Sequence, residues 1–576
     1  MSVTGHAVRR RFVTLADGMQ LHYRIVGAGP PVVLLHPSPQ SGAFSLPMAR
    51  RLAPNFTAIA VDTPGYGLSD PLPGRPSSPA LADYLPPLRL FLDALGLARV
   101  ALYGNATGAQ IAQLFAHAHP ERVALCMLDT AGHKEDADLD AMLEGYFPDV
   151  TPRRDGGHLL THWDMVRSLS LFSPWQATDA GHRLVADLPS PAALHSKLLD
   201  YLRAGPAYAA AYRPAFYTAK HALISRIRVP VTLTRWEGKP DLAEVDALIG
   251  RGLPPNFTVL RAGPSPDERL AAAEAHLLRH YRPTAAPMPA LPPQIDPGAV
   301  RWQSMFVDVP GGQLFARACL AGSGRPWLGL HDPAGSSRRV EPLLSPWLGA
   351  RPLLAIDNPG NGESDRLLSR EAISTEAYAA HAEAALAALG FDVVDALGRY
   401  SGGQVAMELA RRTPQRVRHV VQAGVMIFAP DEREALLAHY TPSIEPRWDG
   451  SHLVTAWAIV RDMSLFWPWY DRRATAVIRR DAAIDAASLD RRVQDLLKIG
   501  DAWQQAYAAS FRYPMQERLG ALPVPCLLAD YPGAASWPRL AMAAACSPRV
   551  ALGEIDADAS AWRRRVDRFL GERDAA

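Results

Sequence analysis

Short apolar segments alternate with longer amphipathic stretches along this chain. Pro31–Leu35, Phe56–Val61 and Arg99–Tyr103 are nearly continuous apolar runs, which is typical of strands that are buried on both faces. Between and after them, Pro79–Leu95 and Gly108–Ala118 have the apolar spacing of helices. Strands that alternate with helices at this spacing predict a mostly parallel, doubly wound α/β sheet.

The same order of elements recurs in the second half of the chain. Phe12–Val26 predicts a hairpin that turns at Asp17-Gly18, and Val307–Leu320 predicts another around Gly311-Gly312. The apolar runs that follow the second hairpin predict strands at Trp327–Leu330, Pro352–Ile356 and Val393–Leu397. Each half therefore carries the pattern of a complete α/β domain.

Sequence identities between the two halves show an internal duplication. The block from Asp62 to Asp70 recurs from Asp357 to Asp365, at an offset of 295 residues. The segment GHLLTHWDMVRSLSLFSPW, which begins at Gly157, recurs as SHLVTAWAIVRDMSLFWPW at an offset of 294, with 11 of 19 positions identical. A nearly constant offset over separate blocks indicates two copies of one domain.

Proline content marks the junction between the copies. Residues 282–298 contain six prolines in 17 positions, which is typical of an extended, semi-rigid linker. We therefore predict one domain over residues 1–282, a linker over 283–298 and a second domain over 299–576. This arrangement makes the chain an intrachain pseudo-dimer, and its higher oligomeric state is left open.

Composition narrows the partners and the compartment. The 576 residues include 60 Lys+Arg and 58 Asp+Glu, so the net charge of +2 argues against a nucleic-acid binder or an anionic-membrane binder. No apolar run approaches the ~18 residues of a membrane span, and no apolar segment follows the basic N-terminus as in a secretory signal. Four scattered cysteines show no metal-ligand spacing. These features predict a cytoplasmic protein without metal or cofactor.

Three of the repeated blocks resemble motifs of the α/β-hydrolase fold superfamily. The loops after His36 and His331 resemble its oxyanion loop, and Asp62–Asp70 resembles its D-x-P-G-x-G-x-S-D turn. Gly104–Gly108 and Gly398–Gly402 lie where that family has its strand-to-helix nucleophile elbow, G-x-S-x-G. The resemblance implies two tandem α/β-hydrolase domains, with helical caps near residues 133–222 and 427–515.

Both copies depart from the catalytic residues of that family. The nucleophile position holds Ala106 in the first copy and Tyr400 in the second, with Ser401 as a less favoured alternative nucleophile. No histidine follows His452, and the first copy has none after its last strand until His276. We expect the second copy to lack all three residues of a Ser-His-Asp triad, so acyl-enzyme chemistry is disfavoured.

Candidate site residues are those that remain polar or aromatic near the predicted elbow and cap. We predict Tyr400, His331 and His452 as catalytic, because a phenol and two imidazoles can donate or accept protons near neutral pH. Structural roles, as loop brace or space filler, are the alternatives. We predict that the ligand contacts come from Ser401, Asp332, Trp457, Arg461, His36, Ala106, His158, Trp163 and Arg167.

Two functions from different classes fit this pattern. The first is an atypical hydrolase or lyase that acts on a small hydrophobic or aromatic carbonyl, ester or carboxylate compound without a triad. The second is a non-catalytic pseudoenzyme that binds a ligand or serves assembly. A variant of the first assigns activity to the first copy, where Asp129 and Asp241 lie at positions that suit a catalytic acid.

Overall fold

The computed structural model describes residues 7–74, 76, 78–132, 136–218, 221–239, 241–281 and 290–574. The chain forms two compact units. The first comprises the described residues up to Thr151 together with His158–Gln294, and the second comprises Pro152–Gly157 together with the described residues from Ile295 onward. Residue 282, residues 283–289 of the predicted linker, and residues 133–135, 219 and 220 of the first predicted cap lie outside the described residues.

The first unit is built on an eight-stranded sheet in the order β1-β2-β4-β3-β5-β6-β7-β8. Strand β2 pairs antiparallel with β1 and β4, and the other neighbours are parallel. Parallel strands need crossover connections, which the helices supply. The strands are Arg9–Thr14, Gln20–Val26, Pro31–Leu35, Thr57–Val61, Val100–Asn105, Val123–Asp129, Val231–Trp236 and Phe257–Ala262.

Ten α-helices of the first unit lie in its described part. Helices α1–α3 and α9–α10 connect or follow the strands, and α4–α8 lie between β6 and β7 as the cap. Their bounds, α1 to α10 in order, are Leu46–Leu52, Leu85–Ala94, Thr107–Ala118, Asp136–Leu143, Gly157–Ser168, Pro191–Ala204, Tyr212–Thr218, His221–Ile224, Leu242–Gly250 and Pro266–His280.

The second unit repeats this topology, in the order β16-β15-β14-β13-β11-β12-β10-β9. Strand β10 is the antiparallel one, and it pairs with β9 and β12. The prediction of two tandem, mostly parallel α/β sheets is confirmed. The strands β9 to β16 are Gln303–Val309, Gly312–Cys319, Trp327–Leu330, Leu353–Ile356, Val394–Arg399, Val417–Ala423, Cys526–Asp530 and Val550–Glu554.

The helices of the second unit follow the same plan. Helices α14–α17 form the cap after β14, and apolar side chains cover both faces of the sheet in two clusters. The described helices α11 to α20 are Glu341–Leu344, Thr375–Ala388, Ser401–Arg412, Pro430–His439, Ser451–Asp462, Ala486–Ile499, Ala502–Arg512, Met515–Gly520, Leu540–Ala544 and Ala559–Asp574.

One helix is shorter than the sequence predicts. The apolar spacing predicts a helix over Pro79–Leu95, but α2 begins at Leu85. Pro86 and Pro87 lack an N–H group, so they are tolerated only in the first turn of a helix, where that donor is not needed. A single 3₁₀ turn over Leu81–Tyr84 precedes them.

The repeated aspartate turn is held differently in the two units. Asp62 lies 2.7 Å from His22 and 2.9 Å from Arg24, and these partners outweigh its burial and hold its pKa below the usual range. Asp357 accepts backbone N–H groups of Ser337 and Glu363 but forms no ion pair in the described part of the chain. Burial therefore raises the pKa of Asp357 to about 6.

This difference predicts opposite pH dependences of stability for two matched variants. Because the folded pKa of Asp357 exceeds its unfolded value, its contribution to the free energy of unfolding falls as pH rises from about 4 to 6. The free energy of unfolding of the wild type, minus that of Asp357→Asn, should drop by about 2 kcal/mol between pH 4.5 and 7.5.

Urea unfolding at both pH values measures this difference, and Asp62→Asn is the matched control. The folded pKa of Asp62 is lowered, so its stabilisation is present above its unfolded pKa and is lost as pH falls. Its wild-type-minus-variant difference should therefore not fall between pH 4.5 and 7.5. A fall of equal size for both aspartates would contradict the assignment.

Candidate active site

Each unit has a strained turn between its fifth strand and the helix that follows. Ala106 has φ 48° between β5 and α3, and Tyr400 has φ 46° between β13 and α13. A Cβ atom on Gly402 would overlap the backbone carbonyl of Leu330, so only glycine permits this close approach of helix and strand. These turns are the elbows that the glycine pattern predicts.

The aromatic ring at the second elbow occupies space that a glycine leaves free. Gly424 has φ 84°, and a Cβ atom there would overlap the Tyr400 ring. The corresponding pair in the first unit is Ala106 and Thr130, at the offset of 294 residues. The large elbow residue of the second unit is therefore paired with glycine after the next strand, and the small elbow residue of the first unit is paired with threonine at that position.

A cavity of about 270 Å³ opens at the second elbow. Tyr400, Ser401 and Asp332 contribute to its wall from the core, and aromatic and apolar side chains contribute from the cap and the segments beside it. The lining residues are Asp332, Pro333, Arg339, Arg399, Tyr400, Ser401, Val425, Met426, Phe428, Tyr440, Met463, Ser464, Trp467, Ile478, Arg480, Ala483, Arg492, Tyr507, Ala535, Ser536 and Arg539.

Tyr400 presents a protonated phenol to this cavity. Its hydroxyl forms no hydrogen bond with any described residue, while the guanidinium of Arg399 lies 5.5 Å from the centre of its ring. Burial raises the pKa of Tyr400, and the nearby Arg399 only partly offsets that rise. At neutral pH the side chain is therefore a hydrogen-bond donor rather than a nucleophilic phenolate.

Asp332 is an ionised carboxylate in the same wall. Its Oδ2 atom lies 2.9 Å from Arg339, and its Oδ1 atom is buried without a hydrogen-bond partner among the described residues. Burial alone would raise the pKa of Asp332, but Arg339 and Arg399 outweigh it and lower that pKa. The carboxylate can accept a hydrogen bond from a ligand or a water molecule.

The structure keeps His331 out of the cavity wall. Its Nδ1 atom lies 2.7 Å from the carbonyl oxygen of Asp332, and its Nε2 atom accepts the N–H of Asn358 at 2.9 Å. His36 repeats both bonds in the first unit, with Pro37 and Thr63. Burial lowers the pKa of both histidines, so each is a neutral brace between two loops.

The predicted cap residues of the second unit also lie outside the cavity wall. His452 is buried and accepts the N–H of Arg447 at 3.2 Å, and the indole of Trp457 donates to the carbonyl oxygen of Arg154. Arg461 is 44% exposed and lies 3.4 Å from Asp462. The structure thus brings together Tyr400, Ser401 and Asp332 but not these three.

The first unit places its predicted residues on a buried cap helix and an elbow without a reactive group. His158 and Trp163 are buried on α5, and Arg167 follows one turn later on the same helix. The predicted acid Asp129 accepts hydrogen bonds from Tyr103 and from Trp236, both at 2.6 Å. These bonds give Asp129 a structural role beside Ala106.

Two kinds of polar residue in the second unit are not predicted from the sequence. Asp530 ends β15, is buried, and accepts a hydrogen bond from Ser536, so the second copy has a buried carboxylate that the sequence analysis does not name. Burial raises the pKa of Asp530. The apolar run Cys526–Asp530 that ends in aspartate is the signal that could have found it. The other omission is a set of arginines: Arg339, Arg399, Arg480, Arg492 and Arg539.

The family assignment rests on a match that covers more than half of the chain. The profile of the alpha/beta hydrolase fold family matches residues 30–219 and 334–514. The chain belongs to the α/β-hydrolase fold family. Both matched segments include an elbow and most of a cap, so the two units are two members of this family in one chain.

Several characterised hydrolases are similar to part of this α/β-hydrolase chain. A 2-hydroxy-6-oxononadienedioate/2-hydroxy-6-oxononatrienedioate hydrolase of Pseudomonas putida is 37% identical over 130 residues, which are 21% of this chain and 45% of that protein. Its counterpart from Cupriavidus pinatubonensis is 35% identical over 130 residues, 21% of this chain and 44% of that protein. This chain therefore spans less than half the length of these relatives.

Solved structures match over about half of this chain. The enol-lactonase from Burkholderia xenovorans is 17% identical, with 46% of this chain and 97% of that chain covered and a TM-score of 0.34. An epoxide hydrolase from Vigna radiata is 17% identical, with 48% and 98% covered and a TM-score of 0.37.

The described residues also bear on membranes and metals. None of their helices is both long enough and apolar enough to cross a membrane. Among these same residues, histidine, cysteine, aspartate and glutamate form no group of three or more that could hold a metal ion.

Proposed function

We propose that the second unit binds a small, partly apolar carbonyl, ester or carboxylate compound and transforms it without a Ser-His-Asp triad. One observation carries this proposal: the Tyr400 hydroxyl lies on the strained elbow, in the wall of a capped cavity, with no hydrogen-bond partner in the described part of the chain. A donor without a partner of its own, at the position of the family's nucleophile, is placed to contact a reacting carbonyl group.

The chemistry follows from the residues in the wall. The Tyr400 phenol donates a hydrogen bond to the carbonyl oxygen and stabilises negative charge as it develops there. The free Oδ1 atom of Asp332 accepts a hydrogen bond from a water molecule or from a hydroxyl of the ligand. With no seryl nucleophile at the elbow, the reaction is direct attack by water or cleavage of a bond beside the carbonyl, so the activity is that of a hydrolase or a lyase.

The named relatives support the substrate class. Their names describe hydrolases of hydroxy-oxo dicarboxylates, which are small compounds that combine carbonyl and carboxylate groups. The cavity of this chain has the matching chemistry, with aromatic side chains such as Phe428 and Trp467 beside arginines. We propose the second unit as the working copy and the first, with Ala106 at its elbow, as a scaffold.

A non-catalytic binding protein is the second candidate. It is favoured by the cavity wall itself, in which the described residues include no histidine and the one acid, Asp332, has its Oδ2 atom held by Arg339.

We further propose domains over residues 1–282 and 299–576, a linker over 283–298, and a cytoplasmic location, where free cysteines such as the buried Cys126 and Cys526 stay reduced.

Mass spectrometry distinguishes the two candidates. The full chain is incubated with a mixture of small esters, thioesters, oxo acids and cellular metabolites, and boiled protein is the control. We expect one mass to be lost and another gained with native protein only. A compound that stays bound through gel filtration without any product would instead support the binding protein. If no product forms and no compound is retained, both candidates are contradicted.

A further inference from the structure

The cavity of the second unit has more positive than negative charge. Five arginines line it, of which Arg339 pairs with Asp332 at 2.9 Å and Arg539 pairs with Glu432 at 2.6 Å. The other three form no ion pair with any described residue; they are Arg399, Arg480 and Arg492. Cations that line a capped cavity without a counter-ion are costly unless a ligand supplies the negative charge.

Two polar side chains that have no hydrogen-bond partner among the described residues lie where α13 begins. Ser401 is the first residue of this 12-residue helix, and its buried hydroxyl oxygen has no hydrogen-bond partner among the described residues. Arg399 ends β13, two residues earlier, and its guanidinium lies over the Tyr400 ring. The backbone N–H groups at a helix N-terminus add a partial positive charge at this point.

Arg492 contributes a second cation to the same region. Its guanidinium donates to the hydroxyl of Ser464 at 2.7 Å from the cap helix α16. Burial, together with the positive charges of Arg339 and Arg399, lowers the pKa of Arg492 to about 10. Arg339, Arg399 and Arg492 thus line one cavity, and Asp332 is the one acidic residue in its described wall.

The first unit does not share this concentration of charge. At the offset of 294 or 295 residues, Arg399 corresponds to Asn105, and Arg339 corresponds to Phe44. Arg492 corresponds to Lys197, so a single cation remains of these three. The shared fold therefore does not require Arg339 or Arg399, because the first unit forms it without a cation at either position.

We propose that a carboxylate group of the ligand binds at the N-terminus of α13, where it contacts the guanidinium of Arg399 and the hydroxyl of Ser401, with Arg492 as the second cation. This inference rests on the proposed function, because it concerns the same cavity. It assigns the former nucleophile elbow to anion binding. The carbonyl of the ligand then lies beside Tyr400, one residue along the elbow.

Pairs of probes that differ only in charge test the proposal. Isothermal titration of the full chain at pH 7.5 would use three acids, benzoate, phenylacetate and hexanoate, and the uncharged amide of each. Hydrogen bonds to charged groups are strong enough to predict that at least one acid binds about 10-fold or more tightly than its amide. In Arg399→Gln this preference should fall below about 3-fold.

Two further variants separate a local site from general charge. Arg399→Lys keeps the cation and should retain part of the preference for the acid over its amide, although lysine cannot form a bidentate contact with a carboxylate. Arg412→Gln removes one positive charge from the other end of α13, outside the cavity wall, and should leave the preference unchanged. Equal binding of acid and amide to the wild type would overturn the carboxylate site and leave the proposed function standing. No binding of any probe would overturn both.

Discussion

Tyr400→Phe is expected to lower turnover by about 100-fold or more. The substitution removes only the hydroxyl, whose hydrogen bond to the ligand's carbonyl oxygen would be strongest as negative charge develops there. Positioned acids and hydrogen-bond donors of this kind contribute ~10²-fold or more to a rate. Because the hydroxyl has no partner in the described part of the chain, its removal breaks no hydrogen bond within that part. The free energy of unfolding should therefore change little.

Rate measurements on the compound found by mass spectrometry, together with thermal unfolding, test this expectation. Tyr378→Phe is the matched control, since it removes one hydroxyl from the buried core of the same unit at a position outside the cavity wall. We expect the control to turn over at the wild-type rate. An unchanged rate in Tyr400→Phe would remove Tyr400 from the chemistry and reduce it to a space filler.

Gly424→Thr is expected to destabilise the second unit by about 2–4 kcal/mol. The new side chain would overlap the Tyr400 ring, and the backbone at φ 84° is strained for any residue with a Cβ atom. Threonine is nevertheless tolerated at the corresponding position of the first unit, where Thr130 has φ 54° and the elbow holds Ala106. The cost in the second unit therefore comes largely from the tyrosine ring.

A double-mutant cycle measures how much of that cost the tyrosine causes. Tyr400→Ala combined with Gly424→Thr recreates the pair of the first unit, and the combination should recover about 1–3 kcal/mol relative to the sum of the single variants. Urea unfolding of the four proteins gives the coupling free energy. Additive effects would mean that the elbow and the residue after β14 are not matched in volume.

The fold could be predicted from the sequence because the periodicity and the duplication reinforce each other. The buried run Pro31–Leu35 matches β3 residue for residue, since a strand covered on both faces has no polar positions to blur its ends. The α2 helix was predicted too long because amphipathic spacing extends into residues whose prolines fix where the helix begins. Element type follows from hydrophobic spacing, whereas element ends depend on local backbone chemistry.

The candidate site could be predicted only at the elbow. Tyr400, Ser401 and Asp332 lie in or beside repeated motifs, so the resemblance located them. Occurrence in both copies points to His331 and His452 as catalytic residues. In the structure, however, these histidines form hydrogen bonds with the backbone of the common fold. Arg399 and Arg492 were missed because they differ between the copies. Tertiary packing of strand, elbow and cap places both arginines in one cavity wall, and no local sequence pattern predicts that placement.

We propose the cavity of the second unit as the active site, and a pair of matched variants distinguishes it from the first unit. Ala483 lines this cavity and is exposed, so Ala483→Trp should narrow it while leaving the core intact. The corresponding position of the first unit is the exposed Pro189, and Pro189→Trp is the control. The amount of product formed, or of compound retained, is measured by mass spectrometry for both full-length variants. We predict that Ala483→Trp loses this product or retained compound while Pro189→Trp behaves as the wild type. Loss in Pro189→Trp alone would instead assign the active site to the first unit.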